Sequence, residues 1–121
     1  MPPERKTYQL DLRKNTAEEL LPILFGELAE DKIALKAAIS DENIDQIKSC
    51  NHKIRGLARN FHFDALLESC LKIDAALEDD FSEYNLNSVK EHFHFVEEEI
   101  KKALELARTA YDFDFQAERL N

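Results

Sequence analysis

The sequence predicts an all-α protein, an antiparallel four-helix bundle with a short N-terminal extension. Glycine and proline, which interrupt helices, number only two and three in 121 residues. Apolar residues recur at steps of three and four along most of the chain, which is the spacing of one helix face. The length suits one domain with a sizeable core and is too short for two. We therefore predict a single domain over residues 1–121 with its core at about 16–111.

The first helix is predicted to begin at Thr16, because Thr16 and Glu19 have the spacing of a capping box. Its inward face is marked by Leu20, Leu24, Leu28, Leu35 and Ile39. Pro22 lies inside this segment and should kink the helix or reset its start. Residues 1–15 are expected to form an arm or a short extra helix.

The second and third helices follow from the same apolar spacing. Ser40–Asn43 is predicted to be a loop that ends in the N-cap residue Asn43. The inward residues of the second helix are Ile44, Ile47, Ile54, Ala58 and Phe61. Those of the third are Leu66 or Leu67, Cys70, Ile73 and Leu77. The segment Asp79–Ser82 is predicted to end the third helix.

The fourth helix has the most regular pattern of the chain. Its inward residues are Leu86, Val89, Phe93, Val96, Ile100, Ala103, Ala107 and Tyr111. On its polar side, Glu97–Lys101 and Glu98–Lys102 have the i,i+4 spacing of ion pairs. Residues 112–121 are expected to form a tail.

The composition excludes several classes of function. The net charge of −9 opposes binding to nucleic acid or to an anionic membrane, which both need a cationic surface. The two glycines are too far apart for a phosphate-binding loop of the ATP or NAD type. No apolar run is long enough to span a membrane. Cys50 and Cys70 are too widely spaced for a zinc or redox motif, so we expect reduced cysteines in a cytoplasmic protein.

The second helix carries a histidine in a locally positive stretch of this acidic chain. At 100° per residue, His52 lies about 160° from the inward Ile54, on the solvent face. Residues 46–63 contain no acid, where the composition predicts about four. Their cations are Lys48, Lys53, Arg55 and Arg59. Such a stretch suits an anion that approaches His52, although each cation alone could be an ordinary solvated charge.

Two neighbours strengthen this interpretation of His52. Gly56, four residues later, costs about 0.5–1 kcal/mol relative to alanine in a helix interior. Its missing side chain would keep the imidazole uncrowded, or else relieve crowding between helices. Arg55, three residues after His52, could place its guanidinium beside phosphoryl oxygens or be a surface charge only. A neutral imidazole is a nitrogen nucleophile near pH 7.

The segment His52–Gly56 resembles the signature of histidine-containing phosphotransfer (HPt) domains. In that family the histidine is followed by any residue, an aliphatic residue, Lys or Arg, and Gly. The resemblance continues through Leu57–Phe61 and into the apolar pattern of the next helix, and it covers roughly residues 20–108. His62 departs from it, because many members have a second glycine at that turn.

The resemblance implies a phosphorelay intermediate in two-component signalling. His52 would accept a phosphoryl group from a receiver-domain aspartate and pass it to another receiver aspartate. Arg55 and Gly56 would serve the transfer, and the cations at 48, 53 and 59 (Lys48, Lys53 and Arg59) would bind the partner. The partners would be receiver domains of hybrid sensor kinases and response regulators.

The resemblance also implies what the chain itself would lack. The receiver would supply Mg²⁺, so that the chain would hold no cofactor and no metal. It would have no kinase activity of its own, and whether such a carrier counts as an enzyme is left open.

Two other functions are open to the same sequence. One is a catalytically inactive bundle that acts as a receiver-binding adaptor. The other is a metal or cofactor carrier that uses the histidines His52, His62, His92 and His94. The positions of His92 and His94, two residues apart and so on different helix faces, speak against the second.

Overall fold

The bundle is described by a computed structural model over residues 14–78 and 83–111. Its helices are α1 (Lys14–Ser40), α2 (Ile44–Asn60), α3 (Asp64–Glu78) and α4 (Glu83–Tyr111). Each helix packs against the next one along the chain, and α4 packs against α1. Turns of three residues join α1 to α2 and α2 to α3, so these neighbours run antiparallel. The predicted all-α four-helix bundle is confirmed.

The core contains most of the predicted inward residues. Those that are buried include Leu24, Leu28, Ile47, Ile54, Leu66, Cys70, Ile73, Val89, Val96 and Ile100. Leu20, Ile44, Phe61 and Tyr111 lie at the margin and are only half-buried. Cys50 and Cys70 are both buried free thiols. Within the described ranges, no helix combines the length and apolar character that a membrane crossing requires.

The start of α1 differs from the prediction. The chain is already helical at Lys14, so Thr16 lies inside the helix and the predicted N-cap was wrong. The helix also continues through the exposed Pro22. A proline removes one backbone hydrogen bond, and here the buried residues Leu21 and Leu24 hold the helix against the core on either side of it. Residues 1–13, Asp79–Ser82 and 112–121 lie outside the described residues.

The predicted loop between α1 and α2 forms as a turn of residues 41–43, because Ser40 still belongs to α1. Asn43 is the N-cap of α2, and its side-chain oxygen accepts a hydrogen bond from the backbone N–H of Gln46 at 3.1 Å. Before it, Glu42 has a left-handed φ of 54°. The N–H of Asn43 donates to the carbonyl of Ala38 at 3.0 Å, which satisfies an otherwise unpaired carbonyl at the end of α1.

The turn from α2 to α3 repeats this geometry. His62 has a φ of 59° and donates its N–H to the carbonyl of Arg59 at 3.3 Å. Phe63 donates to the carbonyl of Ala58 at 2.8 Å, which completes a Schellman motif. The left-handed residue turns Phe63 into the core, where it is fully buried. Phe61, predicted to be inward, is half-buried beside it, with 6.3 Å between the ring centroids.

The ion pairs of α4 have a different register from the predicted one. Lys101 pairs with Glu98 at 3.7 Å and Lys102 with Glu99 at 3.3 Å, both at i,i+3 spacing. Glu97 instead lies 3.8 Å from Lys32 of α1. Lys32 is only 2% exposed, and burial lowers the pKa of its ammonium group while Glu97 opposes the shift. The buried Lys32 therefore pairs with Glu97, the carboxylate that was predicted to pair with Lys101.

Candidate functional site

His52 lies in the middle of α2 with its side chain in solvent. The residues around it on the inner face, Asn51 and Ile54, are completely buried. Both ends of α2 are closed by the hydrogen-bonded turns described above, so His52 stands on a rigid element. The solvent-facing position is the one predicted from the helical angle.

One nitrogen of the His52 ring is in contact with Arg55. Arg55 Nη2 lies 2.7 Å from His52 Nδ1, and its Nη1 donates to Asp74 Oδ2 of α3 at 2.7 Å. The Arg55 and Asp74 side chains are 26% and 27% exposed, so water only partly screens this ion pair. Within the described residues, no hydrogen bond is found to the second ring nitrogen, Nε2.

Asp74 is held in turn by a buried amide. Asn51 Nδ2 donates to Asp74 Oδ1 at 2.8 Å and to the backbone carbonyl of Cys70 at 2.9 Å. Because both partners are acceptors, the Asn51 amide can take only one orientation, with its nitrogen toward α3. Its Oδ1 is buried and has no hydrogen-bond partner within the described part of the chain. An unsatisfied buried oxygen costs about 1–3 kcal/mol, so this arrangement is not one that stability alone would select.

Two grooves meet at His52. The first, of about 510 Å³, lies between α1 and α2, and its lining comprises Glu27, Glu30, Asp31, Lys53, Gly56, Leu57 and Asn60 besides His52. The second, of about 460 Å³, lies between α2 and α3 and is lined by Lys48, Arg55, Leu71, Asp74, Ala75, Leu77 and Glu78 besides His52. An approaching group therefore reaches the ring from either side of α2.

The site is less positive than the sequence of α2 implies. Glu27, Glu30 and Asp31 face it from α1, and Asp74 and Glu78 face it from α3. Burial raises the pKa of Asp31, and the Lys53 ammonium partly offsets that rise. The acid-free stretch of α2 is thus balanced by carboxylates of its neighbours, which the sequence window alone does not contain.

Gly56 lines the first groove, and its surroundings support neither of the two interpretations given above, an uncrowded imidazole or relief of crowding between helices, for a side chain as small as that of alanine. A Cβ atom built at Gly56 meets nothing within 4 Å. Crowding between helices therefore does not require this glycine, and an alanine would not touch the His52 ring. The open space lies in the groove, where a bound partner would come.

The predicted cations are not gathered at one point. Lys48 lines the second groove and Lys53 the first, whereas Arg59 is exposed and lines neither. Arg55 alone among them contacts the His52 ring. Sequence reasoning missed Asp74 and Asn51. Asp74 directly follows the inward Ile73, which places it near the edge of the inward face of α3, but no pattern in the sequence sets it opposite Arg55.

The remaining histidines of the described part lie elsewhere. His92 lines a groove between α3 and α4, and His94 packs against Phe95 with 5.8 Å between the ring centroids. Within residues 14–78 and 83–111, no three His, Cys, Asp or Glu side chains are grouped so that they could hold a metal ion.

Comparison with known proteins gives one finding on the family. A family model described as the Hpt domain matches residues 19–110, which is most of the chain. The match spans all four helices and contains His52. Comparisons with curated proteins and with solved structures gave no significant match.

Proposed function

Because the chain belongs to the Hpt domain family, we propose that it is a phosphorelay intermediate whose phosphoryl carrier is His52. Membership of this family places the chain in two-component signalling, with receiver domains as its partners. His52 takes the phosphoryl group from the aspartate of one receiver and gives it to the aspartate of another.

The observation that supports this role is the state of the His52 ring. The ring is exposed at the meeting point of two grooves, on a helix that is fixed at both ends. Arg55 lies on Nδ1 at 2.7 Å, so Nε2 is the ring nitrogen without a contact among the described residues, and it can bind phosphorus once Arg55 has left and the ring proton is on Nδ1. Transfer of this kind depends mainly on positioning and on compensation of charge.

In the proposed reaction a lone pair on Nε2 attacks the phosphorus of an aspartyl phosphate. The P–N bond forms as the P–O bond to the carboxylate breaks, and the electron pair of that bond stays with the departing carboxylate. The ring proton is on Nδ1 during the attack and is then released to solvent, so that the phosphorylated ring is neutral. Arg55, one helical turn away, can move from Nδ1 to the phosphoryl oxygens and compensate their charge. We propose that Mg²⁺ comes with the receiver, so that the chain needs no cofactor of its own.

Apolar residues on both sides of His52 suit a short-lived contact with a receiver. Leu71 is 44% exposed in the α2–α3 groove, and Leu57 is half-buried in the α1–α2 groove. Around them, Lys48 and Lys53 would interact with acidic groups of the receiver. Small interfaces of this composition are typical of transient signalling complexes.

The experiment is transfer from a receiver that carries radioactive aspartyl phosphate. We expect the wild-type chain to gain acid-labile label and His52→Gln to gain none. The matched control is His94→Gln, which makes the same change at an exposed histidine of α4 and should label like the wild type. Equal labelling of His52→Gln and wild type would show that the carrier is another residue. Receiver binding without any labelling of the wild type would show an adaptor instead.

A further inference from the structure

A chain of hydrogen bonds runs from the backbone of α3 to the His52 ring. The Cys70 carbonyl and Asp74 Oδ1 both accept from the buried Asn51 amide, at 2.9 and 2.8 Å. Asp74 Oδ2 accepts from Arg55, and the other amino group of Arg55 reaches His52 Nδ1, each at 2.7 Å. The position of the guanidinium is therefore set by α3 as well as by its own helix.

This arrangement decides which ring nitrogen carries the proton. An arginine guanidinium has five N–H donors and no acceptor, and it stays protonated in proteins. Nδ1 of His52 must therefore accept the hydrogen bond, and the proton of the neutral ring must be on Nε2. In that tautomer Nε2 has no lone pair available for a bond to phosphorus.

We infer that Asp74 is a positioning residue that, by holding Arg55 on Nδ1, keeps His52 of the free protein in the tautomer that cannot attack phosphorus through Nε2. The inference rests on the proposed function and concerns the regulation of its site. Transfer then requires that Arg55 leaves Nδ1, which a docked receiver brings about by offering phosphoryl oxygens to the guanidinium. The free protein is thereby protected from small phosphate donors, which also carry phosphoryl oxygens but are not held beside Arg55 by a docked interface.

The same contact protects the phosphorylated ring. In hydrolysis, a water oxygen attacks phosphorus, the P–Nε2 bond breaks and its electron pair stays on Nε2. The leaving ring is a neutral imidazole only if Nδ1 carries a proton, and the attacking water releases one proton to the solvent as phosphate forms. Once the receiver has left, Asp74 holds Arg55 on Nδ1 again and this contact keeps that proton away, so the phosphohistidine of the isolated protein should be long-lived.

The first test is the tautomer of the wild-type protein, measured by ¹⁵N NMR of the ring nitrogens in slightly alkaline buffer. We expect a single tautomer with hydrogen on Nε2. In Asp74→Asn, which keeps an acceptor for Asn51 but loses the charge that holds Arg55, the two ring nitrogens should shift toward each other as the tautomers mix. Glu68→Gln is the matched control, because it removes a carboxylate from the same helix outside both grooves at His52 and should leave the wild-type spectrum unchanged.

The second test uses phosphoramidate, a small donor that phosphorylates imidazoles without a receiver. Asp74→Asn should accept phosphate from it faster and lose phosphate about threefold to tenfold faster than wild type, the effect of a partly screened charged hydrogen bond. Glu68→Gln should match wild type in both rates.

Two results would overturn the inference. One is a wild-type spectrum that shows the proton of the His52 ring on Nδ1. This measurement does not depend on the folding of any variant. The other is an Asp74→Asn protein with the spectrum and phosphohistidine lifetime of wild type. Failure of the proposed function differs from both, because receivers would then never label His52 even if the tautomer and the phosphoramidate rates came out as expected.

Discussion

Replacing Gly56 with alanine is expected to stabilise the free protein and yet to slow phosphoryl transfer. A Cβ atom built at Gly56 meets nothing within 4 Å, so helix propensity alone decides the change in stability. Alanine gains about 0.5–1 kcal/mol over glycine inside a helix. With an unfolding entropy of about 2.1 cal/mol/K per residue, this corresponds to a rise in Tm of about 2–4 °C for a chain of this size.

The expected loss of activity has a different origin. Gly56 lines the α1–α2 groove beside His52, and the space above it is open in the free protein. A receiver that docks there would meet the added methyl group, and a tight contact that must accommodate one extra carbon loses about 1 kcal/mol or more. Transfer should therefore slow by about fivefold in Gly56→Ala and further in Gly56→Gln.

Gly26 offers a matched control for this prediction. It is the other glycine of the chain, lies inside α1, is half-buried like Gly56, and also has nothing within 4 Å of a built Cβ. Gly26→Ala should give the same rise in Tm with no change in transfer. The assay is thermal unfolding together with the rate of labelling from a phosphorylated receiver. If Gly56→Ala were stabilised but transferred phosphate as fast as Gly26→Ala, the idea that glycine is needed for partner access would be refuted.

Three further changes test other parts of the structure. Arg55→Ala should slow acceptance from a receiver by about one to two orders of magnitude, because a charge-assisted contact is lost. Arg108→Ala is the control, because Arg108 lies on α4 and pairs with Glu105; equal labelling rates of the two variants would contradict the role of Arg55. His62→Gly should raise the free energy of unfolding by about 1 kcal/mol, because a φ of 59° is strained for a residue with a Cβ. Urea unfolding measures this change, and an unchanged midpoint of the urea transition would contradict the expectation. Burial raises the pKa of Cys70 from 9.0 to about 12. Since the folded pKa is the higher one, the stabilisation is complete below about pH 9 and is lost as the pH rises toward 12. Urea unfolding of wild type should therefore lose stability relative to Cys70→Ala above pH 9, and a constant difference would contradict the shift.

The spacing of apolar residues predicted where the helices lie and which residues face the core. It predicted the turns between the helices only in part. Ile47, Ile54 and Ala58 are buried because one face of α2 packs against the core. Their helical spacing is enough to predict that face. Phe63 is fully buried for a reason that spacing does not contain. It follows the left-handed residue His62, which redirects the chain after the helix has ended.

Contacts between helices explain the other differences. Glu97 was assigned to Lys101 on its own helix, because a sequence pattern contains only local neighbours. In the structure Glu97 lies beside the buried Lys32 of α1. An unpaired charge costs more free energy when it is buried than when it is exposed, so Lys32 gains more from a carboxylate partner than the exposed Lys101 does. The charge around His52 was misjudged for the same reason, since the acids that balance α2 belong to other helices.

At the candidate site, the sequence predicted the exposed ring and its neighbour Arg55 but not the residue that holds Arg55. The solvent side of α2 follows from the angle between His52 and Ile54 alone. The contact with Asp74 depends on how α2 and α3 are paired and on their relative height, which no spacing within α2 determines.

The unpaired Oδ1 of Asn51 has a consequence for anyone who redesigns this protein. Substituting Asn51 with leucine would remove the unpaired oxygen but also the amide hydrogen bonds to Cys70 and Asp74, so the gain and the loss in stability are of similar size. Such a variant would leave Arg55 as the partner of Asp74 on α2. Its melting temperature would therefore change little, although the carboxylate beside His52 would have lost one of the groups that fix its position.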